Sequence, residues 1–198
     1  MATKSTTIFS LTKVKSYLGV EGANHDALLD QIADGVSERV EAYTGRTFVT
    51  RAVTETLDGD GKQFLYLRNY PVVSVTSLKI RYSLLDEWTV LNVAAETVLD
   101  ARRGRLYLNS MHFPWGPLSI EVVYSAGWGA QDAVALPQDL VQAALDYVKF
   151  VYDRKTVGAT LAASMTIGPN TVSVVPDIPT DVKRVLDSYR KVRSILGR

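Results

Sequence analysis

The sequence contains no cysteine and only two histidines, which limits the chemistry that it can perform. Without cysteine, disulfides, thiol nucleophiles and thiolate-bound metals are all excluded. Two histidines cannot supply a three-histidine zinc site, and the sequence has no His-Glu-x-x-His motif. We therefore expect no enzyme activity, no metal and no cofactor.

The sequence also lacks a strong net charge and a long apolar run. Its 22 basic and 21 acidic residues give a net charge of +1, which does not by itself indicate a nucleic-acid or membrane partner. No window approaches the roughly 18 consecutive apolar residues of a membrane span. The N-terminal "MATKSTTIFSLTKV" lacks the apolar core of a signal peptide. We expect a folded protein that is assembled in the cytoplasm and has no membrane partner.

Apolar spacing predicts two helices near the N-terminus. "FSLTKVKSYLGV" predicts a short first helix with Thr12 as its N-cap. Apolar residues at spacings of three and four predict a longer second helix, capped by Asn24 or Asp26. Gly45, in "YTGR", follows the last apolar position of that helix, where a left-handed cap favours glycine.

Two more helices are predicted near the C-terminus. Pro137 is suited to the first turn of the third helix, and the fourth is predicted over about residues 180–196. The segment between them is rich in small residues and has a hairpin signal at "IGPNT".

Between these helices the apolar period changes to two, which predicts β-strands. "DGDG" at residues 58–61 predicts a hairpin turn. Further strands are predicted at residues 88–91, 96–99, 105–108 and 118–124. The sequence therefore predicts an α+β fold, in which a helical core of about four helices (residues 1–46 and 136–198) is interrupted by a β-rich insertion (residues 47–135).

Charge is distributed unevenly between the two ends of the chain. Residues 24–46 carry five acids and two bases, whereas residues 178–198 carry six bases and two acids. Bases at a helix C-terminus are favoured by the helix macrodipole. A basic tail also suits contact with an acidic protein surface or with DNA phosphates. Both interpretations stay open on charge alone.

Several short motifs follow one another along the chain in a characteristic order. They are "LTKVKSYL", "DALL", "VEAYTGR", "YPVVSV", "VVYSAGW", "LPQDLVQAAL" and "IPTDVKRVLDSYRK". In order and spacing they resemble the phage head–tail connector proteins, also called adaptors, in the long form that has a β insertion. "DARRGRLYL" at residues 100–108 departs from that pattern because it is more basic.

The resemblance implies a structural virion protein at the head–tail joint. Members of that family form a ring beneath the portal, match its twelvefold symmetry, extend the DNA channel and present a surface to the next proteins. The implied partners are the portal protein, neighbouring copies in a dodecameric ring, stopper or tail proteins, and the packaged DNA that passes through the lumen.

The resemblance also implies which residues contact the portal, and charge indicates which could contact neighbouring copies. Because the C-terminal segment of family members reaches the portal, the resemblance implies portal contacts at Val182, Leu186, Tyr189, Arg190 and Lys191. We extend this expectation to Arg193, which lies just beyond the matching motif. A ring needs two different, complementary faces on each copy. The expected ring contacts are the acidic residues of the second helix: Asp30, Asp34, Glu38 and Glu41.

The alternative interpretation is a nucleic-acid-binding module that uses Arg102, Arg103, Arg105 and the basic C-terminus. It predicts salt-dependent DNA binding by the monomer. An adaptor that only guides passing DNA needs little affinity for it. A hydrolase is a third class, for which the sequence offers no catalytic constellation.

Overall fold

Five helices and seven strands make up the computed structural model, which describes residues 7–156 and 177–191. The helices are α1 (Leu11–Leu18), α2 (Asp26–Thr44), α3 (Val93–Glu96), α4 (Gln138–Thr156) and α5 (Thr180–Tyr189). The strands are β1 (Arg51–Asp60), β2 (Phe64–Tyr66), β3 (Val72–Ile80), β4 (Thr89–Leu91), β5 (Thr97–Asp100), β6 (Arg105–Leu108) and β7 (Trp115–Ala126). This confirms the predicted α+β class.

The chain divides into two compact units. One comprises Met1–Arg46 together with Ala130–Arg198, and the other comprises Thr47–Gly129. The first unit holds α1, α2, α4 and α5, and the second holds α3 and all the described strands. Residues 130–135 group with the helices rather than with the strands.

The N-caps of the first two helices differ from the predicted ones. Ser10, not Thr12, caps α1, and its side chain accepts a backbone N–H three residues on. Thr12 already lies inside the helix. At α2 the cap position belongs to His25, which makes no side-chain cap bond, so neither Asn24 nor Asp26 caps it. Apolar spacing locates a helix, whereas the cap depends on where the chain enters it.

The core of the helical unit lies where α2, α4 and α5 meet. Each of these helices places an apolar stripe there. A fully buried leucine or valine contributes about 1.5–3 kcal/mol through burial. The buried residues at this junction include Leu29, Ile32, Val36, Val40, Leu140, Ala144, Tyr147, Val148, Val182 and Leu186.

None of the helices in the described ranges is long and apolar enough to cross a bilayer.

The β-rich unit contains two antiparallel sheets. One has the strand order β1–β7–β3–β4 and the other has the order β2–β6–β5. Successive residues on a strand face opposite sides, and one side of each sheet is buried. Leu65 and Leu106 lie in one core cluster with Ile120 and Val122 of β7.

The predicted hairpin at "DGDG" is wrong. The strand β1 runs through Asp60 and pairs with β7, whereas β2 pairs with β6. A register shift between Leu57 and Gly59 marks a bulge at this place. A Cβ on Gly59 would lie 1.8 Å from the carbonyl oxygen of Pro114. Glycine is needed here for close backbone approach inside a strand, not for a turn.

A buried carboxylate ties the turn before β3 to the larger sheet. Glu55 Oε1 accepts hydrogen bonds from Tyr124 Oη (2.7 Å) and Asn69 Nδ2 (3.0 Å). Glu55 Oε2 accepts the backbone N–H of Arg68 at 3.2 Å. The Asn69 N–H donates in turn to Tyr124 Oη at 3.1 Å. Burial, followed by the bond to Glu55, raises the pKa of Tyr124.

Replacing Tyr124 by phenylalanine should destabilise the β-rich unit. The substitution leaves Glu55 and the Asn69 N–H each short of a partner in a buried place, which costs about 1–3 kcal/mol. Urea unfolding would measure the change in the free energy of unfolding. Tyr82→Phe, at a position that is 69% exposed, is the matched control. Equal stability of the two variants would contradict this role for Tyr124.

Candidate assembly surfaces

The "YTGR" stretch joins the end of α2 to the C-terminal segment. Gly45 adopts a left-handed conformation (φ 68°) and its N–H donates to Glu41 O at 2.8 Å, which confirms it as the C-cap of α2. The preceding carbonyl, Thr44 O, accepts the backbone N–H of Lys191 at 2.8 Å. A carbonyl that the helix itself leaves without a partner is therefore satisfied by the segment that follows α5.

Two side chains of the same stretch hold the end of α5. Arg46 Nε donates to the carbonyl oxygen of Tyr189 at 2.7 Å. Tyr43 Oη donates to Asp187 Oδ1 at 2.5 Å, and the guanidinium of Arg190 lies 5.7 Å from the Tyr43 ring centre. Residues 43–46 thus contact α5 and the chain leaving it through both backbone and side chains. We call residues 43–46 the C-terminal anchor.

The described part of α5 ends earlier than predicted. The helix stops at Tyr189, and Arg190 has an extended backbone (φ −60°, ψ 131°). Lys191 N–H bonds to Thr44 O instead of continuing the helical ladder back to Asp187 O. The prediction of a helix through residue 191 is therefore wrong, because the C-terminal anchor captures the chain. The rest of that predicted helix (residues 192–196) and the "IGPNT" hairpin signal lie outside the described residues.

Two of the residues assigned to the portal contact are buried in the helical unit. Val182 and Leu186 are 3% and 0% exposed. Their stripe holds α5 against its neighbours in the helical unit, so their accessible surface is negligible. An acidic substitution at either position would place a charge in an apolar core and unfold the unit. Such a variant would not report on portal docking.

The other assigned residues lie at or beyond the end of α5. Tyr189 is partly buried, and its Oη donates to Asp139 Oδ1 at 2.6 Å. Burial, with this carboxylate, raises the pKa of Tyr189 to about 12. Arg190 is exposed and Lys191 is partly exposed. Arg193 lies outside the described residues.

The four acidic residues assigned to ring contacts follow one side of α2, at spacings of four, four and three. Glu38 is exposed, whereas Asp30, Asp34 and Glu41 are partly buried. Asp30 and Asp34 each have one buried carboxylate oxygen. The most accessible negative charge on this side of the helix is therefore that of Glu38.

The arginines of "DARRGRLYL" have two different environments. Arg102 and Arg103 are exposed in the turn between β5 and β6. Arg105 lies on β6 among aromatic rings, with its guanidinium 5.2 Å from Phe64, 4.7 Å from Tyr66 and 5.7 Å from Tyr107. It also donates to the hydroxyl groups of Tyr107, at 2.8 Å, and Tyr66. We call Arg105 and these three rings the basic aromatic face.

A second exposed surface of the β-rich unit has no counterpart in the sequence predictions. The connection between β3 and β4 carries large apolar side chains that point to solvent: Tyr82, Leu84, Leu85 and, on β4 itself, Val90. Its sequence, "RYSLLDEW", contains two leucines and two aromatic residues in a place where loops are usually polar. That contrast was the only signal for it. We call residues 81–88 the acidic apolar hairpin, because Asp86 and Glu87 directly follow the two leucines.

No metal site is formed within residues 7–156 and 177–191, where no three His, Asp or Glu side chains are grouped to hold an ion.

The model of the head completion protein family matches residues 7–192. The chain therefore belongs to the head completion protein family. Membership confirms the predicted connector relationship and, with it, the role of a structural head–tail adaptor of a virion. No curated protein matches the chain.

Three solved structures share the fold. The neck of a native gene transfer agent particle, computed with C12 symmetry, has a TM-score of 0.67 and 22% identity, and the match covers 100% of this chain and 96% of that chain. The neck of the empty particle, computed with C6 symmetry, has a TM-score of 0.66 and 21% identity over the same shares. A chain of the virion of the native gene transfer agent particle matches with a TM-score of 0.67 and 21% identity. That match covers 96% of this chain and 93% of that chain.

Replacing Arg46 by methionine should loosen the segment that follows α5. The change removes the hydrogen bond to Tyr189 O while keeping much of the side-chain length. Loss of this hydrogen bond should lower the local stability of the segment by about 1 kcal/mol. The Lys191 amide should then exchange roughly fivefold faster. Hydrogen exchange would measure it, with Arg184→Met on the exposed side of α5 as control. Unchanged exchange at Lys191 in a folded variant would show that Arg46 does not hold the segment.

Proposed function

We propose that this chain forms a ring of twelve copies that docks beneath the portal of a filled capsid. The ring would continue the DNA channel and receive a stopper or tail protein on its other side. The observation that carries this proposal is the family match over residues 7–192. The shared fold with a neck computed with C12 symmetry supports the copy number.

The portal contact is proposed to use the basic residues at and beyond the end of α5. Arg190, Lys191 and Arg193 provide the positive charge, and Tyr189 packs at their base. Val182 and Leu186 contribute indirectly, because they hold α5 in the helical unit. The C-terminal anchor sets the point from which the segment leaves that unit, through the bond from Lys191 N–H to Thr44 O. A partner would therefore meet a segment with a fixed base.

The ring contact is proposed to involve the acidic side of α2. Glu38, with Asp30, Asp34 and Glu41, would face basic residues of the neighbouring copy. Opposite charges on two different faces suit the head-to-tail contacts that close a ring. Exposed ion pairs contribute little individually, about 0–1 kcal/mol, so the charges would set orientation more than affinity.

No catalytic step is part of this proposal. The chain would act through its surfaces, and duplex DNA would pass through the lumen without tight binding. The alternative is a nucleic-acid-binding module that uses Arg102, Arg103, Arg105 and the basic C-terminus. The exposure of the Arg102 and Arg103 side chains supports it.

Co-expression of the chain with the portal protein of its own phage tests the proposal. Electron microscopy should show an added ring of twelve copies below the portal. The double variant Arg190→Glu/Lys191→Glu should weaken docking by about tenfold or more, because it reverses two charges at the proposed contact. Lys155→Glu, on the exposed end of α4, is the matched control and should dock normally.

Bare portals beside a folded monomer would contradict the proposal. Salt-dependent binding of duplex DNA by that monomer would then favour the nucleic-acid alternative.

A further inference from the structure

The acidic apolar hairpin exposes several large apolar side chains that nothing in its own unit covers. Leu85 is 96% exposed, and Leu84 and Tyr82 beside it are also exposed. Asp86 and Glu87 follow directly, and neither forms an ion pair with the described residues. Contiguous exposed apolar residues of this kind mark contact sites with other proteins.

The hairpin is held in shape by its own contacts. The guanidinium of Arg81 lies 4.4 Å from the Trp88 ring centre, and Arg81 Nε donates to Leu118 O at 3.0 Å. At the tip, the Asp86 N–H donates to Ser83 O at 3.1 Å. These bonds fix the base and the tip, so the leucines are presented to solvent in a defined arrangement. A preorganised surface loses less entropy on binding.

The basic aromatic face has the opposite charge and is partly exposed, with Tyr66 as its most accessible ring. Tyr66 is 53% exposed, and Arg105 has no carboxylate partner among the described residues. The neighbouring Lys62 pairs with Asp60 at 2.6 Å, and Arg103 lies 3.9 Å from Asp100. With Arg102, the four bases exceed the two acids, so the area is net positive.

The composition of this face is suited to a protein partner. Tyrosine, phenylalanine and arginine are the residues that most often dominate protein interfaces. The rings hold the Arg105 guanidinium in one position through stacking and two hydrogen bonds. An apolar segment with adjacent carboxylates would cover the rings and pair with the guanidinium together.

We infer that the acidic apolar hairpin of one copy packs on the basic aromatic face of the next copy. Leu84 and Leu85 lie against the rings of Phe64 and Tyr66, and the carboxylates of Asp86 and Glu87 meet Arg105. Leu84, Leu85 and Tyr66 are all exposed, so the hairpin leucines and this ring do not cover each other within one copy. Because the hairpin and the basic aromatic face are different patches, each copy can bind one neighbour through its hairpin and another through its face. Such head-to-tail contacts are what a closed ring requires.

This inference rests on the proposed ring and adds a contact made by the β-rich unit. A second copy explains both surfaces with a single interaction. DNA would be attracted by the arginines but would leave the leucines of the hairpin exposed.

The absence of cysteine allows a direct test by cross-linking. In the double variant Glu87→Cys/Arg103→Cys, oxidation of the ring assembled on the portal should join neighbouring copies by disulfides. A ladder of linked copies should appear on a non-reducing gel and collapse on reduction. The control variant Glu87→Cys/Lys155→Cys keeps one of the two cysteines and should give no such ladder.

The variant Leu85→Asp provides a second test. Because this side chain is almost wholly exposed, the substitution should leave the fold intact, so any loss of assembly reports on the contact itself. Ring occupancy on the portal should fall about tenfold or more at limiting protein, as for loss of a central contact residue. Val134→Asp, at another highly exposed position, should have no effect.

Four outcomes separate the two proposals. A ring that gives the disulfide ladder and depends on Leu85 supports the inference. A ring that forms normally with Leu85→Asp and gives no ladder overturns the inference but leaves the proposed function standing. Portals without any ring overturn both. Loss of duplex DNA binding in Arg105→Gln, together with no ladder, would assign the basic aromatic face to nucleic acid and also overturn the inference.

Discussion

The end of α2 is the point on which the helical unit depends. A helix leaves its last carbonyl groups without partners inside the helix, and those of α2 are satisfied in two ways. The left-handed turn at Gly45 returns one N–H to Glu41 O, and the segment after α5 supplies another through Lys191. Arg46 then bonds the last carbonyl of α5 itself. Two helix ends distant in sequence therefore satisfy each other.

This arrangement explains why the chain changes from helix to strand so abruptly at "YTGR". The tyrosine and the arginine hold α5, the threonine carbonyl receives the outgoing chain, and the glycine permits the reversal. A single stretch of four residues ends one helix, fixes the end of another and starts the β-rich unit. The same stretch sets the base of the basic segment that is proposed to meet the portal.

The other candidate features of the two units are charged and apolar surfaces. The helical unit presents Glu38 on one side of α2 and Arg190 beyond α5. The β-rich unit presents an acidic apolar hairpin and a basic aromatic face. Distinct, oppositely charged faces are what a protein needs to join unlike neighbours in a fixed order, which agrees with membership of the head completion protein family.

Sequence periodicity predicted the parts of this structure that depend on local pattern. The strand at residues 105–108 coincides with β6, and Gly45 is the C-cap of α2 as predicted. Long-range features were not predictable: the bond between Lys191 and Thr44 joins opposite ends of the chain. Gly59 was mistaken for a turn residue because the sequence does not reveal that Pro114 approaches it. An apolar stripe such as Val182 and Leu186 predicts burial, but not whether the same chain or a partner covers it.

The most direct test of the account is the ratio of this chain to the portal protein in purified, filled virions. Quantitative mass spectrometry with isotope-labelled reference peptides would measure it. A ring of twelve copies on a twelvefold portal predicts one copy of this chain for each portal copy, retained after removal of loosely bound proteins. Absence of the chain from filled virions, or a ratio far below one, would contradict its role as a structural adaptor.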